Sequence, residues 1–180
     1  MSFSINGIKC KNSTVKEVFF KLPILNQILI CCDGDSKSNP GLAGIDFIGR
    51  NNDGSYLGAV CGGLGIATNY ISEVMGLVIA GEWAVRKRFM DVYFILDSKA
   101  VSIAFASGEI PWIVLNRWKK VTANLRNISF RHAYREINFS ADSLAKQGAN
   151  LIRGELRFYT GKPSFLRIIE NENAYYSIFF

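Results

Sequence analysis

Four acidic residues lie at positions where an ionised carboxylate is costly unless something pairs with it. Asp33 and Asp97 each end an apolar run typical of a buried strand, at the edge where α/β folds place their ligands. Glu73 heads the small and apolar face of a helix-like segment, and Asp142 lies in the first turn of another. We expect three of the four to lie near one sheet edge.

Each acid also has an ordinary structural explanation. Asp33 could form an Asx turn with Gly34, Asp97 could cap the following helix, and Asp142 could be a helix-start acid. Glu73 is harder to explain in this way, because facing the sheet leaves it short of water. Together the carboxylates would repel one another, and oxygen ligands favour Mg²⁺ or Mn²⁺ as the remedy. Two such ions about 4 Å apart form the clamp used for in-line phosphoryl displacement.

Length and composition describe one globular domain. The chain has 180 residues, of which 49% are hydrophobic and 13% aromatic. Its net charge of +6 permits a polyanionic partner without identifying one. Much of the excess lies in two clusters, residues 86–88 and 117–120, and the second contains Trp118. A cationic helix face with an aromatic residue suits a nucleic-acid backbone, while a solvated helix face gives the same pattern.

The four cysteines show no metal-binding pattern. Cys31 and Cys32 are neighbours on a predicted strand and point to opposite faces, and neither Cys10 nor Cys61 completes a CxxC pair. Zinc is therefore not expected. No secretory signal begins the sequence, and the longest apolar stretch, residues 74–80, is too short to span a bilayer. We expect an intracellular protein, nuclear or cytoplasmic and not secreted, with no membrane partner.

The pattern of apolar residues predicts an α/β domain. Residues 1–26 are predicted to be a leader or linker, 27–150 the domain, and 151–180 a tail that packs on it. The order β-β-β-α-β-α-α-β-α indicates a mixed sheet with helices packed against it. The predicted strands cover residues 27–34, 44–50, 55–61, 92–96 and 128–134, and the predicted helices cover 70–88, 99–107, 111–127 and 138–150. The caps of the first and last helices are assigned to Thr68 or Asn69 and to Asn138 or Ser140.

Four blocks of the sequence, in order, resemble ribonuclease H. "DGDSKSNPGLAG" resembles the first strand and turn of the family, "TNYISEVMGL" its helix start and "ILDS" a strand end. "RHAYREINFSADSLAKQG" resembles its C-terminal block, in the version found in plant non-LTR retrotransposon reverse transcriptases and stand-alone relatives. The resemblance covers roughly residues 27–150. It implies a ribonuclease H-like fold, a five-stranded mixed sheet with three antiparallel strands followed by parallel strands, flanked by helices.

The resemblance also implies a reaction and its catalytic residues. The ligands of two Mg²⁺ ions, for which Mn²⁺ substitutes, would be Asp33, Glu73, Asp97 and Asp142. One ion would help to generate the attacking hydroxide and the other would stabilise the leaving 3′-oxygen. The RNA strand of an RNA–DNA hybrid would thus be cut to 5′-phosphate and 3′-hydroxyl ends. His132, the one histidine, matches a mobile family residue credited with proton transfer and product release; a strand-end histidine bonded to backbone is the structural alternative.

Cutting RNA but not DNA requires contacts to consecutive 2′-hydroxyl groups. The turn between Gly34 and Gly41 offers backbone groups beside the first metal ligand. Asn39 and Asn69 match family positions that touch the hybrid and Thr68 matches one that holds a DNA phosphate, although a turn asparagine or a helix cap would look the same. The substrate-binding residues expected are Gly34, Ser36, Asn39, Thr68, Asn69 and Asn138.

The sequence departs from the family pattern in three places. Asp35 adds a negative charge after Asp-Gly, where Ala or Ser is usual, and Tyr70 stands where polar residues are common. The segment between the middle helices is too short for a basic protrusion, and a helix with Trp112, Trp118 and residues 119–120 is the candidate to replace it. The alternatives are a catalytically weak or inactive nucleic-acid-binding module, and a two-metal nuclease that acts on double-stranded RNA or branched DNA. The sequence is compatible with two settings: the chain is part of a larger reverse transcriptase polyprotein, or it is a stand-alone monomer.

Overall fold

The structure is a computed structural model, and it describes residues 14–179. Over these residues the chain forms eight β-strands and four α-helices, with one 3₁₀ turn before the last helix. The strands are β1 (Val15–Phe19), β2 (Ile28–Ser36), β3 (Gly41–Arg50), β4 (Tyr56–Ala67), β5 (Asp91–Leu96), β6 (Asn127–His132), β7 (Leu156–Tyr159) and β8 (Tyr175–Phe179). The helices are α1 (Asn69–Arg86), α2 (Lys99–Ser107), α3 (Leu115–Asn124) and α4 (Phe139–Gly148), and the 3₁₀ turn is Arg135–Ile137.

Six strands form the central sheet, in the order β6-β5-β2-β3-β4-β7. The strands β2, β3, β4 and β7 pair antiparallel, whereas β2 with β5 and β5 with β6 pair parallel. The predicted mixed sheet is thus confirmed, with one strand more than the five expected. The extra strand is β7, which comes from the segment after α4 and pairs with β4, so that β4 is not left as an open edge.

The strand β4 runs six residues beyond its predicted end at residue 61. Glycines follow there, and they lack the alternating side chains that mark a strand in a sequence. Pairing with β3 nevertheless continues to Ala67, because a register shift between Ala43 and Gly44 accommodates the irregular segment.

Helices cover both faces of the sheet. The helices α1, α2 and α3 share one core cluster with the sheet, and α4 packs on the opposite face. Trp118 belongs to the first cluster: it is 5% exposed and its ring centroid lies 4.8 Å from that of Phe105. The expectation of a surface Trp118 within a cationic helix face is therefore wrong, whereas Trp112 is 86% exposed.

Helix α3 begins at Leu115, four residues after its predicted start at Pro111. Pro111 opens a separate turn instead, which closes where the Val114 N–H donates to the Pro111 carbonyl at 3.0 Å. The cap of α1 is Thr68, one of the two residues expected there. Within residues 14–179, no helix combines the length and the apolar character that a membrane span requires.

Three cysteines are core residues. Cys31, Cys32 and Cys61 are buried and unpaired, and burial raises the pKa of the Cys32 thiol well above its usual value. Their surroundings are those of small apolar residues and not of reactive thiols. Cys10 lies outside the described residues.

The strands β1 and β8 form a second, two-stranded sheet. They pair antiparallel, with Val15 opposite Phe179. Ile178 is 5% exposed, and Phe20, which follows β1, is 2% exposed in a cluster that includes Ala141 of α4. The strands β1 and β8, which come from opposite ends of the described chain, therefore pair on the face of the central sheet that α4 covers.

A buried ion pair joins the segment before β8 to the central sheet. Arg50 Nη2 lies 2.6 Å from Glu170 Oε2, and the two side chains are 2% and 1% exposed. Arg50 also donates to the Tyr56 hydroxyl at 3.1 Å. The other carboxylate oxygen of Glu170 accepts the Ser140 backbone N–H at 2.7 Å. Glu170 thus caps the first turn of α4; Asn138, one of the predicted caps, makes no side-chain capping bond.

Candidate active site

Three of the four predicted acids converge at one edge of the sheet. Asp33 lies in β2, Asp97 directly follows β5, and Glu73 lies near the start of α1. One carboxylate oxygen from each lies within 4.8 Å of the other two. Asp33 is 0% exposed and Glu73 is 7% exposed, so this carboxylate triad is largely shielded from water.

Two glycines allow α1 to approach β2 closely enough to deliver Glu73. A Cβ atom on Gly34 would lie 2.2 Å from the Ser72 carbonyl carbon, and one on Gly76 would lie 2.7 Å from the Asp33 carbonyl oxygen. A side chain at either position would push the helix away from the strand. The close approach of backbones therefore sets the spacing of the triad.

Asp142 lies beside the triad and is linked to it by Arg135. Arg135 Nε lies 3.3 Å from Asp97 Oδ2 and 3.5 Å from Asp142 Oδ1. Lys146, one turn further along α4, lies 2.5 Å from Asp142 Oδ2. Among the described residues, Asp142 is not part of the group within 4.8 Å. The two cations offset part of the negative charge at this edge.

Burial and mutual repulsion favour protons on the triad. Burial, followed by the charges of Asp33 and Asp97, raises the pKa of Glu73 to about 11. Burial and the nearby Asp97 raise the pKa of Asp33 well above its usual value, although the Gly34 N–H opposes this by donating to Asp33 Oδ1 at 2.8 Å. Shifts of this kind mark a cluster with too little positive charge, which is common at functional sites.

The triad fits a hard divalent cation. Asp33 Oδ2, Glu73 Oε2 and Asp97 Oδ1 are buried and receive no hydrogen bond from any residue in the described part of the chain. Orphaned carboxylate oxygens are costly in a protein interior. Carboxylate oxygens are also the ligands that Mg²⁺ and Mn²⁺ prefer. These three residues could therefore hold a cation, with Asp142 available as a fourth ligand.

His132 ends β6 beside the triad. In the parallel register it lies opposite Leu96, the residue before Asp97. The ring of His132 is half-buried and meets the Tyr134 ring edge-on, with centroids 5.6 Å apart. An imidazole side chain therefore lies one strand away from Asp97.

Four of the predicted substrate-binding residues lie where the turn after β2 meets the start of α1. The Asn69 N–H donates to Asn39 Oδ1 at 3.1 Å. The Thr68 hydroxyl accepts a backbone N–H of the first helical turn at 3.3 Å. The Ser36 hydroxyl donates to the Ala67 carbonyl at 3.0 Å. These bonds fix the turn against the helix that carries Glu73.

The other two predicted substrate-binding residues lie in the interior. Asn138 is 0% exposed, and its Nδ2 donates to the Cys32 carbonyl at 3.0 Å. Gly34 is buried under α1. In this structure Asn138 ties the start of α4 to β2, next to Asp33, and does not reach the surface.

One acid close to the triad was not predicted. Asp46 lies opposite Asp33 in the β2–β3 register, is 0% exposed, and neither of its carboxylate oxygens has a donor within residues 14–179. Burial, followed by the charge of Asp33, raises its pKa well above the usual value. The signal for it was a single charge inside the apolar run "AGIDFIG". Arg135 and Glu170 had no local signal at all.

A family comparison covers the segment that carries the site. The model of the reverse transcriptase-like family matches residues 31–148, more than half of the chain. The chain belongs to the reverse transcriptase-like family. Among curated protein sequences, none gives a significant match.

Several solved structures that are similar to this reverse transcriptase-like chain are ribonucleases H. RNase H1 from Halobacterium salinarum NRC-1 is 25% identical over 68% of this chain and 96% of its own, with a TM-score of 0.63. The N-terminal RNase H domain of a Mycobacterium tuberculosis protein is 27% identical over 69% and 94%, with a TM-score of 0.63. LC11-RNase H1, isolated from compost, is 26% identical over 70% and 97%, with a TM-score of 0.62. The predicted ribonuclease H-like fold and family are thus confirmed.

The reverse transcriptase-like match contains the four predicted acids and His132. The strands β1, β7 and β8 and the residue Glu170 lie outside the matched segment.

Proposed function

We propose that this chain is a divalent-cation-dependent endonuclease that hydrolyses the RNA strand of RNA–DNA hybrids and leaves 5′-phosphate and 3′-hydroxyl ends. The observation that carries the proposal is the carboxylate triad, with its oxygens within 4.8 Å and one unpartnered buried oxygen on each acid. The similar LC11-RNase H1 has also been solved in complex with an RNA/DNA hybrid, which supports the hybrid as substrate.

The triad and Asp142 would hold two Mg²⁺ ions, and Mn²⁺ would substitute. Bound divalent cations neutralise charge on a phosphodiester and lower the pKa of coordinated water. Asp33 would be a ligand through its Oδ2, because the Gly34 N–H donates to its Oδ1 at 2.8 Å and Oδ2 has no donor among residues 14–179. Arg135 orients Asp97 and Asp142 toward each other through its contacts at 3.3 and 3.5 Å.

Hydrolysis requires a proton to leave the attacking water and another to reach the departing 3′-oxygen. Imidazole accepts and donates protons near neutral pH. His132, which lies opposite the residue before Asp97 and is partly open to solvent, is the group that we assign to proton transfer and product release.

Preference for RNA is assigned to the turn after β2 and the start of α1. This turn lies next to Asp33 and is held in place by the Asn39–Asn69 and Ser36–Ala67 hydrogen bonds. Polar groups fixed in this way can contact 2′-hydroxyl groups of the strand whose phosphate reaches the triad.

The proposed setting is reverse transcription. The family match supports a domain, proposed over residues 27–150, that acts either within a larger reverse transcriptase polypeptide or as a stand-alone monomer. We place it in the nucleus or cytoplasm, where such hybrids arise.

A catalytically weak nucleic-acid-binding module with the same fold is the second candidate. Asp35 favours it, since this half-buried acid lies two residues beyond Asp33 and so on the same side of β2. An added negative charge beside the triad disfavours an approaching phosphate.

A cleavage assay distinguishes the two functions. The full chain is incubated with a labelled RNA–DNA hybrid, a DNA duplex and an RNA duplex in Mg²⁺ or Mn²⁺. We expect the RNA strand of the hybrid alone to be cut, and Asp97→Asn to slow cleavage at least about 1,000-fold. Asp53→Asn, in an exposed turn, is the matched control and should cleave like the wild type.

Three outcomes would contradict parts of this proposal. A wild-type chain that binds the hybrid and leaves it intact would favour the binding module. Equal cleavage by Asp97→Asn and the wild type would show that the carboxylate triad is not the active site. Cleavage of the RNA duplex alone would assign a different substrate to the same site.

A further inference from the structure

A cleft of about 310 Å³ opens beside His132, between β1 and the end of β6. β1 lies outside the segment that matches the reverse transcriptase-like family. The wall from β1 and the residues after it includes Lys16 and Lys21, and the wall from β6 and the residues after it includes Arg131, His132 and Tyr134.

Three positive charges in this cleft are not neutralised. Lys16, Lys21 and Arg131 form no ion pair with any acid among residues 14–179, in contrast to Arg50 and Arg135. Lys16 and Lys21 are exposed, and Arg131 is half-buried. Among the described residues, Glu17 is the single acid that lines the cleft. This lining therefore carries an excess of positive charge that favours an anionic ligand.

Lys16 is held toward the catalytic edge. Its Nζ lies 5.3 Å from the centre of the Tyr134 ring, and that ring meets the His132 ring at 5.6 Å. Val18 and Phe20 lie two and four residues after Lys16, and therefore on the same side of the extended chain. Both pack into the core cluster, so β1 directs Lys16 toward its inner side. An ammonium group over an aromatic face keeps its position while its charge stays available to a ligand.

The cleft wall adjoins the strand that leads to Asp97. The Ala133 N–H, in the cleft wall, donates at 2.8 Å to the carbonyl of Leu96, the residue before Asp97. Neighbouring strands in a sheet are about 4.8 Å apart. A nucleic-acid strand whose phosphate lies at Asp97 can therefore continue past the end of β6 toward Arg131 and Lys16.

From these observations, we infer that the cleft between β1 and β6 binds the phosphate backbone of the nucleic acid on one side of the cleavage position. The inference rests on the proposed function for the identity of the strand, and it adds a binding surface built by β1. Positive side chains that contact successive phosphates give affinity independent of base sequence.

The test is a binding titration of a labelled hybrid without divalent cation, repeated over a series of salt concentrations. The wild-type full chain is compared with Lys16→Ala/Lys21→Ala. The matched control is Lys87→Ala/Lys162→Ala, which removes the same charge from exposed positions at the far end of α1 and after β7. We expect the first variant to bind roughly tenfold more weakly. Its slope of log affinity against log salt concentration should correspond to nearly two fewer phosphate contacts, whereas the control should retain the wild-type slope.

Hybrids shortened on either side of the cleavage position provide the second readout. The difference between the wild type and Lys16→Ala/Lys21→Ala should disappear when one side is shortened to the scissile phosphate, and should persist when the other is shortened. Three results would overturn the inference. The two double variants could show the same salt dependence of affinity, or the loss of affinity in Lys16→Ala/Lys21→Ala could be independent of hybrid length. Polyglutamate could also compete for the cleft as well as the nucleic acid does. Thermal unfolding of each variant checks that the fold is retained.

The same titration separates this inference from the proposed function. If the hybrid stays intact in Mg²⁺ while binding still depends on Lys16 and Lys21, the nuclease fails and the cleft stands. If the hybrid is cut and binding does not depend on these lysines, the cleft fails and the nuclease stands.

Discussion

Two groups of buried charges in this protein are satisfied to very different degrees. At the Arg50–Glu170 pair both carboxylate oxygens have donors, at 2.6 and 2.7 Å. At the carboxylate triad, Asp33, Glu73 and Asp97 each keep one buried oxygen without a donor. The pair involves the segment before β8, whereas the triad lies where β2, the end of β5 and the start of α1 meet.

This difference distinguishes a structural ion pair from a site that has room for a ligand. A buried charge with its partners in place fixes the position of the elements that carry it. Buried carboxylates without partners either keep a proton or are neutralised by a positive group that binds to them. In the proposed function, the triad would give up local stability for cation binding, while Glu170 holds the start of α4 and, with it, Asp142.

The largest expected effect is on the satisfied pair. Glu170→Ala leaves Arg50 buried without its counter-charge and removes the acceptor for the Ser140 N–H, so we expect the free energy of unfolding to fall by about 3–5 kcal/mol. Urea unfolding measures this. Glu172→Ala, at an exposed position two residues away, is the control and should change stability by less than about 0.5 kcal/mol.

The pair can be examined more closely with a double variant. Arg50→Met combined with Glu170→Leu should recover part of the loss, because no charge remains unpaired. If Glu170→Ala were as stable as Glu172→Ala, the Arg50–Glu170 pair would not be a stabilising contact, and its contrast with the triad would be lost.

The next effect concerns cation binding to the triad and its pH dependence. Because the pKa values of Asp33 and Glu73 are raised, the folded chain without cation retains protons that the unfolded chain releases above about pH 4. Its stability therefore falls as pH rises toward the folded-state pKa values. A cation competes with those protons, so its stabilising effect should grow with pH.

We expect Mg²⁺, at a fixed concentration of about 100 times its dissociation constant at pH 8, to add about 2.7 kcal/mol of stability at pH 8 and clearly less at pH 6, where protons weaken its binding. Unfolding with and without Mg²⁺ at both pH values measures the increment. Glu73→Gln should lose most of it, and Glu109→Gln, at an exposed position, should keep it. An increment that is independent of pH would mean that the cation does not displace protons from the triad.

The smallest effect concerns Asp46. Its folded-state pKa is raised by burial, so it opposes folding increasingly as pH rises above about 4. Asp46→Asn should raise the free energy of unfolding by about 2 kcal/mol near pH 8 and by progressively less toward pH 4. Asp53, whose pKa is lowered by hydrogen bonds with Ser55, should give the opposite trend when changed to Asn.

A loss of stability in Asp46→Asn near pH 8 would contradict the assignment of Asp46 as an unpartnered acid. It would place Asp46 with the satisfied charges and not with the triad.

The acids of the triad could be predicted because each has a local signal. Asp33 and Asp97 end apolar runs, Glu73 heads a small and apolar helix face, and the four blocks that resemble ribonuclease H hold these residues in order. The mixed sheet followed from the same runs. Acids that end neighbouring strands can be predicted to lie close together, because the pairing of strands aligns their ends.

Features that depend on distant partners could not be predicted. Glu170 caps a helix 30 residues away, and Arg135 joins two acids from different elements. β7 pairs with a glycine-rich strand whose own end was misplaced. Trp118 was assigned to the surface because of its charged neighbours, although one turn of a helix exposes some residues and buries others.

The pairing of β1 with β8 also has a consequence for synthesis on the ribosome. The triad and α4 are complete in the chain before β8 has been translated, whereas the ladder that supports β1 needs the last described strand. Contacts between such distant segments form late, since a long loop has to close first. A nascent or prematurely terminated chain would thus form the carboxylate triad before it forms the cleft between β1 and β6.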